Sequence, residues 1–96
     1  MIPLWNHKYQ PMHDLDLTSL RLFTRVCDAR SMARVAEQEN IVGSAISKRM
    51  ALLEDRVGTP LLVRRKRSVE PTPAGEALLA HARSMLTQAQ RIDHDM

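Results

Sequence analysis

Apolar positions along the 96-residue chain fall into blocks of different period, and the block from Ser31 to Val57 organises the others. Within it, Ile46, Met50, Leu53 and Val57 follow one another at spacings of four, three and four, which places them on one side of a helix. Ser44, Ser47, Lys48 and Asp55 fall away from that stripe. The opposite side is therefore small, hydroxylated and basic at its N-terminal end. A helix anchored by one face and offering short polar and basic side chains from the other has the form of a recognition helix for nucleic acid. The pattern predicts it over about Gly43 to Arg56, stopped by Gly58, a residue suited to left-handed backbone.

The same reading extends in both directions. A first helix is expected from Thr18 as N-cap, with Leu17 stapled onto Leu22 and an inward stripe of Leu20, Phe23, Val26 and Cys27. Cys27 is then a small buried hydrophobe, not a nucleophile. A second helix starts after Ser31, its N-cap, runs from Met32 to about Glu39 and turns inward Met32, Val35 and Ala36. Asn40, tolerant of left-handed backbone, breaks it, and Ile41 is expected to plug the gap before the next helix. After Gly58 the period changes. Pro60 to Val63 and Ser68 to Glu70 are short apolar or β-favouring arms around Arg64, Arg65, Lys66 and Arg67, the pattern of a β-hairpin with a cationic tip. Thr72 followed by Pro73 opens a last helix reaching about Asp93. Along it Leu78, Ala82, Met85, Ala89 and Ile92 recur at four, three, four and three, a 3.5-residue seam suited to pairing with a second helix.

These elements predict a mainly α fold: a winged helix-turn-helix, with a three-helix core and a short two-stranded β-wing, followed by a long C-terminal linker helix. Residues 1–15 read as a flexible tail, 16–71 as the winged helix-turn-helix domain and 72–96 as the linker and dimerisation helix. Met12 is a candidate physiological start. The tail carries Trp5 and Tyr9, and also His7 and His13, which no Cys or carboxylate pattern completes into a metal site.

Composition narrows the function. A net charge of +3 and a sequence pI near 9.6 fit nucleic acid or another acidic partner. Aromatics at 3% leave no stacking platform for single strands. A single cysteine gives neither a disulfide framework nor zinc-finger spacing. No apolar run approaches the ~18 residues of a membrane span, and no leader pattern is evident. His7, His13, His81 and His94 are scattered, so no catalytic constellation is read, and neither a metal nor a cofactor is expected. The expected location is cytoplasmic, on the nucleoid. The competing reading is a winged-helix protein-interaction module without DNA binding.

Taken in order, Asp16-Leu-Thr-Ser-Leu-Arg-Leu-Phe23, Ser31 to Ala36, Ser44-Ala-Ile-Ser-Lys-Arg-Met50 with Leu53-Glu54, Gly58, Leu61, Arg64 to Arg67 and Pro71-Thr-Pro-Ala-Gly75 resemble the N-terminal domain of LysR-type transcriptional regulators. The resemblance spans residues 16 to about 92. It implies a bacterial, sequence-specific double-stranded DNA-binding domain that acts as a homodimer through its linker helix. Family members usually continue into an effector-binding domain, and none is expected within these residues. Three positions depart from the family pattern: Val42 stands where Ser or Thr is common before the recognition helix, Gly43 where Gln is frequent, and Lys66 where the wing tip usually has Gly, which would widen that turn.

Candidate DNA-binding residues are Ser31, Arg34, Gly43, Ser44, Ser47, Lys48, Arg49, Arg64, Arg65, Lys66, Arg67 and Thr72. Lys48 is best suited to guanine acceptors, the serines to base edges or phosphates, and Arg49 to a base or a backbone oxygen. The wing cations suit flanking backbone or minor groove. Ser31, Arg34 and Thr72 lie at helix starts, where an anion is favoured. Gly43 lets the backbone approach a phosphate closely. Leu78, Ala82, Met85, Ala89 and Ile92 are the candidate dimer interface.

Overall fold

The computed structural model describes residues 15–96. The order is α1 (Leu17–Ala29), α2 (Met32–Glu39), α3 (Gly43–Val57), β1 (Leu62–Arg64), β2 (Val69–Pro71) and α4 (Pro73–Asp95). This is the expected winged helix-turn-helix with a long terminal helix. The expectations for Trp5, Tyr9, His7, His13 and Met12 concern residues outside the described ones.

Capping chemistry sets most of the boundaries. Helix α1 starts earlier than expected, because the Asp16 carboxylate accepts the Ser19 amide proton at 2.7 Å and takes the capping role assigned to Thr18. Hydrogen bonds from the Ser19 amide and the Ser19 side chain, with Arg49 nearby, hold the Asp16 carboxyl below its ordinary pKa. Leu17 is consequently the first helical residue and lies exposed, so it does not staple Leu22. Leu15, ahead of the new cap, packs against the core instead. Ser31 caps α2 as expected, its Oγ accepting from the Arg34 amide at 3.0 Å. Thr72 caps α4 through the Gly75 amide, also at 3.0 Å. Left-handed residues end the first three helices: Arg30 after α1, Asn40 after α2 and Gly58 after α3. Asn40 and Gly58 are residues that favour that backbone, whereas Arg30 gives no such signal.

The core is apolar throughout; among the described residues no polar or charged side chain is buried. Leu20, Leu22, Phe23 and Val26 of α1, Val35 and Ala36 of α2, Ile46, Met50 and Leu53 of α3, and Leu61, Val69, Leu79 and Ala82 all lie within it. Helix α1 touches α2, α3, α4 and β2, which makes it the hub. One stripe position, Val57, and the expected plug, Ile41, fall short of the expectation. Val57 and Ile41 remain partly exposed, the first because it is the last residue of α3. Ile41 is committed through its backbone, the amide donating to the Ala36 carbonyl at 2.8 Å, and does not plug the gap. Cys27 is buried, and burial pushes its thiol up to about 11, leaving it protonated and unreactive at neutral pH.

The wing is a two-stranded antiparallel hairpin in the register Leu62–Pro71, Val63–Glu70 and Arg64–Val69. Its base is fixed by Glu54 of α3, whose Oε2 accepts the amide protons of Leu61 and Leu62 at 2.8 and 3.1 Å. Arg30 adds a second tie, its carbonyl accepting from the Val69 amide at 3.2 Å. Helix α4 then crosses the body at close range. A Cβ built on Gly75 would collide with the Leu61 carbonyl oxygen and crowd the Pro71 Cβ at 3.1 Å. Farther along, Arg83 donates to both oxygens of Asp28 on α1, at 2.8 and 3.4 Å.

Gly75→Ala should destabilise the domain by about 1–3 kcal/mol through overpacking, although alanine is the better helix former by about 1 kcal/mol. Chemical unfolding of the two proteins checks this, and equal or higher stability of the variant would contradict the close crossing of α4 over Leu61.

Candidate nucleic-acid interface

Burying Ile46, Met50 and Leu53 turns the opposite side of α3 to solvent, where Ser44, Lys48, Ala51 and Asp55 line up at spacings of four, three and four. Ser44 and Lys48 are exposed, as expected, and Gly43 precedes them with nothing within 4 Å of where a Cβ would stand. The other α3 candidates are more engaged. Ser47 is half-buried, its Oγ directed at the Met32 sulfur at 3.5 Å, so it is not part of the exposed face assigned to it. Arg49 turns toward the start of α1, donating to the Ser19 Oγ at 3.2 Å with Asp16 at 3.9 Å.

The start of α3 is the exception among the four helices. Asp16, Ser31 and Thr72 cap their helices by side chain, whereas Val42 caps α3 with no side-chain hydrogen bond. The Val42 side chain is 70% exposed. The departure from Ser or Thr at this position therefore leaves the start of α3 without a side-chain hydrogen bond from its N-cap residue.

The wing tip carries Arg64, Arg65, Lys66 and Arg67, all exposed. Its turn closes with the Arg65 amide donating to the Ser68 carbonyl at 2.7 Å, and Lys66 is accommodated there without positive φ. Glu70 restrains part of this charge. Its carboxylate accepts the Arg65 Nε proton at 2.8 Å and stands 3.9 Å from Arg30. Between the wing and the first turn of α2 lies a shallow cleft of about 320 Å³, lined by Arg30, Ser31, Met32 and Ala33 on one side and residues 64–69 on the other. Arg30 and Glu70 were not among the sequence candidates, since nothing in the sequence signals that the α1–α2 turn meets the hairpin.

The remaining candidates separate. Arg34 is exposed but borders a different depression, beside Arg25, Asp28 and Gln38. Thr72 has its hydroxyl consumed internally, donating to the Pro60 carbonyl at 2.7 Å while accepting from Gly75, which leaves its side chain little to offer a phosphate. On α4 the expected seam divides. Ala82 is fully buried in its own domain and Leu78 packs on the same core, joined by Leu79, which the heptad reading passed over. Met85 and Ile92 are 47% and 63% exposed, with Ala89 between them. The heptad stripe thus serves the domain's own core at one end and presents an apolar edge at the other.

No group of three or more His, Cys, Asp or Glu among the described residues is placed to hold a metal ion. No helix among them is long and apolar enough to cross a membrane.

Residues 17–76 match the family model of the bacterial regulatory helix-turn-helix proteins of the lysR family. The chain belongs to this family. It is 38% identical over 77 residues to the nitrogen assimilation regulatory protein nac of Klebsiella aerogenes, a match covering 80% of this chain and 25% of that protein. With the HTH-type transcriptional activator AllS of Klebsiella pneumoniae it shares 46% identity over 72 residues, 75% of this chain and 27% of the relative. The chain thus spans about a quarter of the length of these relatives. A crystal structure of a CbnR DBD–DNA complex superposes with a TM-score of 0.78 at 34% identity, covering 83% of this chain and 92% of that one. The LysR-type resemblance and the winged-helix expectation are both met.

Proposed function

We propose that this LysR-family domain binds double-stranded DNA sequence-specifically as part of a bacterial transcriptional regulator, with α3 in the major groove and the wing on the flanking backbone or minor groove. The observation that carries the proposal is the exposed Ser44–Lys48 edge of α3 in the same small body as an exposed four-cation wing. A superposable relative is crystallised with DNA, which supports the same reading. Lys48 supplies the donor for guanine acceptors and Ser44 a short donor or acceptor for a base edge. Ser47 and Arg49 sit at the margins of that edge. Arg64, Lys66 and Arg67 contact phosphates, with Arg65 aimed by Glu70, and the first turn of α2 after Ser31 offers amide protons to an anion next to them.

The proposed division of the chain keeps 16–71 as the DNA-binding body and 72–96 as the linker helix. Two copies pair through the exposed end of α4, and the relevant residues are Met85, Ala89 and Ile92, with Leu78 and Ala82 anchoring each helix to its own domain. Helix α4 is roughly 35 Å long at 1.5 Å per residue, and its last turns extend past the buried contacts of Leu79 and Ala82. Action on the nucleoid in the cytoplasm, without catalysis, accords with this role.

Titrating a labelled generic duplex at low and high salt tests the function. Affinity should fall steeply with salt, with a log–log slope of about 0.9 per phosphate contact; absent or salt-insensitive binding would favour a protein-interaction module. Lys48→Ala should cost about 1–3 kcal/mol on a selected duplex and little on random DNA, whereas equal losses on both would make Lys48 a phosphate contact. Met85→Asp should shift the chain from dimer to monomer in light scattering, and persistent dimers would count against the α4 seam.

A further inference from the structure

Val42 is an anomaly of both stability and exposure. Three helices begin with a side chain that caps the amide three residues on, and α3 alone gives that hydrogen bond up. In its place stands a β-branched hydrocarbon, 70% exposed, at the helix end nearest Gly43, Ser44 and Lys48. Gly43 beside it has no side chain, and a Cβ built there would meet nothing within 4 Å apart from its own chain neighbours and helix backbone, so the surface next to Val42 is open. An exposed apolar side chain beside a polar reading face is matched in the major groove by one apolar feature, the C5-methyl of thymine.

We propose that Val42 is a specificity-determining residue that recognises a thymine methyl group in each half-site. The proposal rests on the placement of α3 in the major groove given above. Gly43 removes a side chain that would compete for the same space, so the backbone approaches the duplex closely enough for the Val42 methyl groups to make van der Waals contact. The contact excludes water from two apolar surfaces and leaves no polar group unpaired. A guanine, adenine or cytosine at that position lacks the methyl group.

The test uses the 96-residue chain and the duplex it selects from a random pool. Each thymine of the selected half-sites is replaced singly by deoxyuridine, which removes the C5-methyl and leaves the hydrogen-bonding edge intact. At one position per half-site the substitution should weaken binding by about fourfold, as expected for loss of one buried methyl-sized contact. Val42→Ser should bind the thymine and deoxyuridine duplexes equally at that position. The same variant gains a capping side chain, so its melting temperature should rise, which separates lost discrimination from lost folding. Insensitivity of the parent chain to every deoxyuridine substitution, or sensitivity retained by Val42→Ser, overturns the assignment while leaving DNA binding in place. Failure to select any duplex overturns the binding function and the assignment together.

Discussion

The structure depends on the packing of α1 against everything else. Leu20, Leu22, Phe23 and Val26 are almost completely buried, and their helix touches the other three helices and the second strand. In a chain with one phenylalanine, and with no polar side chain buried among the described residues, α3 brings Ile46, Met50 and Leu53 and α4 brings Leu79 and Ala82 to the core that surrounds this hub. Ion pairs at the edge, Arg83 with Asp28 and Arg21 with Glu39, are exposed and add little stability individually. Helices α3 and α4 both pack against α1, and α3 also against α2, so the proposed reading face and the proposed pairing edge share one support.

Polar groups in this domain are divided between internal ties and open surface. Glu54 and Thr72 turn their side chains to backbone groups of the wing and its approach, and Glu70 holds Arg65. Arg49 is drawn to the start of α1. Among the described residues, the candidate cations left open are Arg34 on α2, Lys48 on α3, and Arg64, Lys66 and Arg67 on the wing. The proposed interface therefore relies on a few cations carried by a rigid body, with the wing anchored at its base and exposed at its tip.

Much of this was legible in the sequence because the signals were local. Ser31, Asn40, Gly58 and the Thr72-Pro73 pair fix helix ends by their own chemistry, and the period of Ile46, Met50 and Leu53 assigns the inner face of α3. The misses arose where two strong local signals competed or where distant segments met. Asp16 and Thr18 both suit a cap, and the acid won by reaching the Ser19 amide. Arg30 has no residue-level preference for left-handed backbone, so its role at the α1–α2 turn, and the cleft it shares with the wing, follow only from tertiary packing. The heptad stripe of α4 could not reveal where the domain's own core ends, and the structure puts that division between Ala82 and Met85. Ser47 reads as a free hydroxyl in sequence but is turned to Met32 in the fold, and the second bond of Thr72, to the Pro60 carbonyl, follows only from tertiary packing.

One face of one small domain, made by α3 and the wing, is the proposed surface for duplex DNA. Backbone amide chemical-shift mapping of the labelled chain during titration with its selected duplex tests that most directly. Shifts should concentrate at Val42–Lys48, at the first turn of α2 and at Arg64–Arg67, while the α4 end around Met85 and Ile92 stays unchanged. Perturbations clustered instead on Leu17 and Leu52, or on α4, with α3's Ser44–Lys48 edge silent, would contradict it.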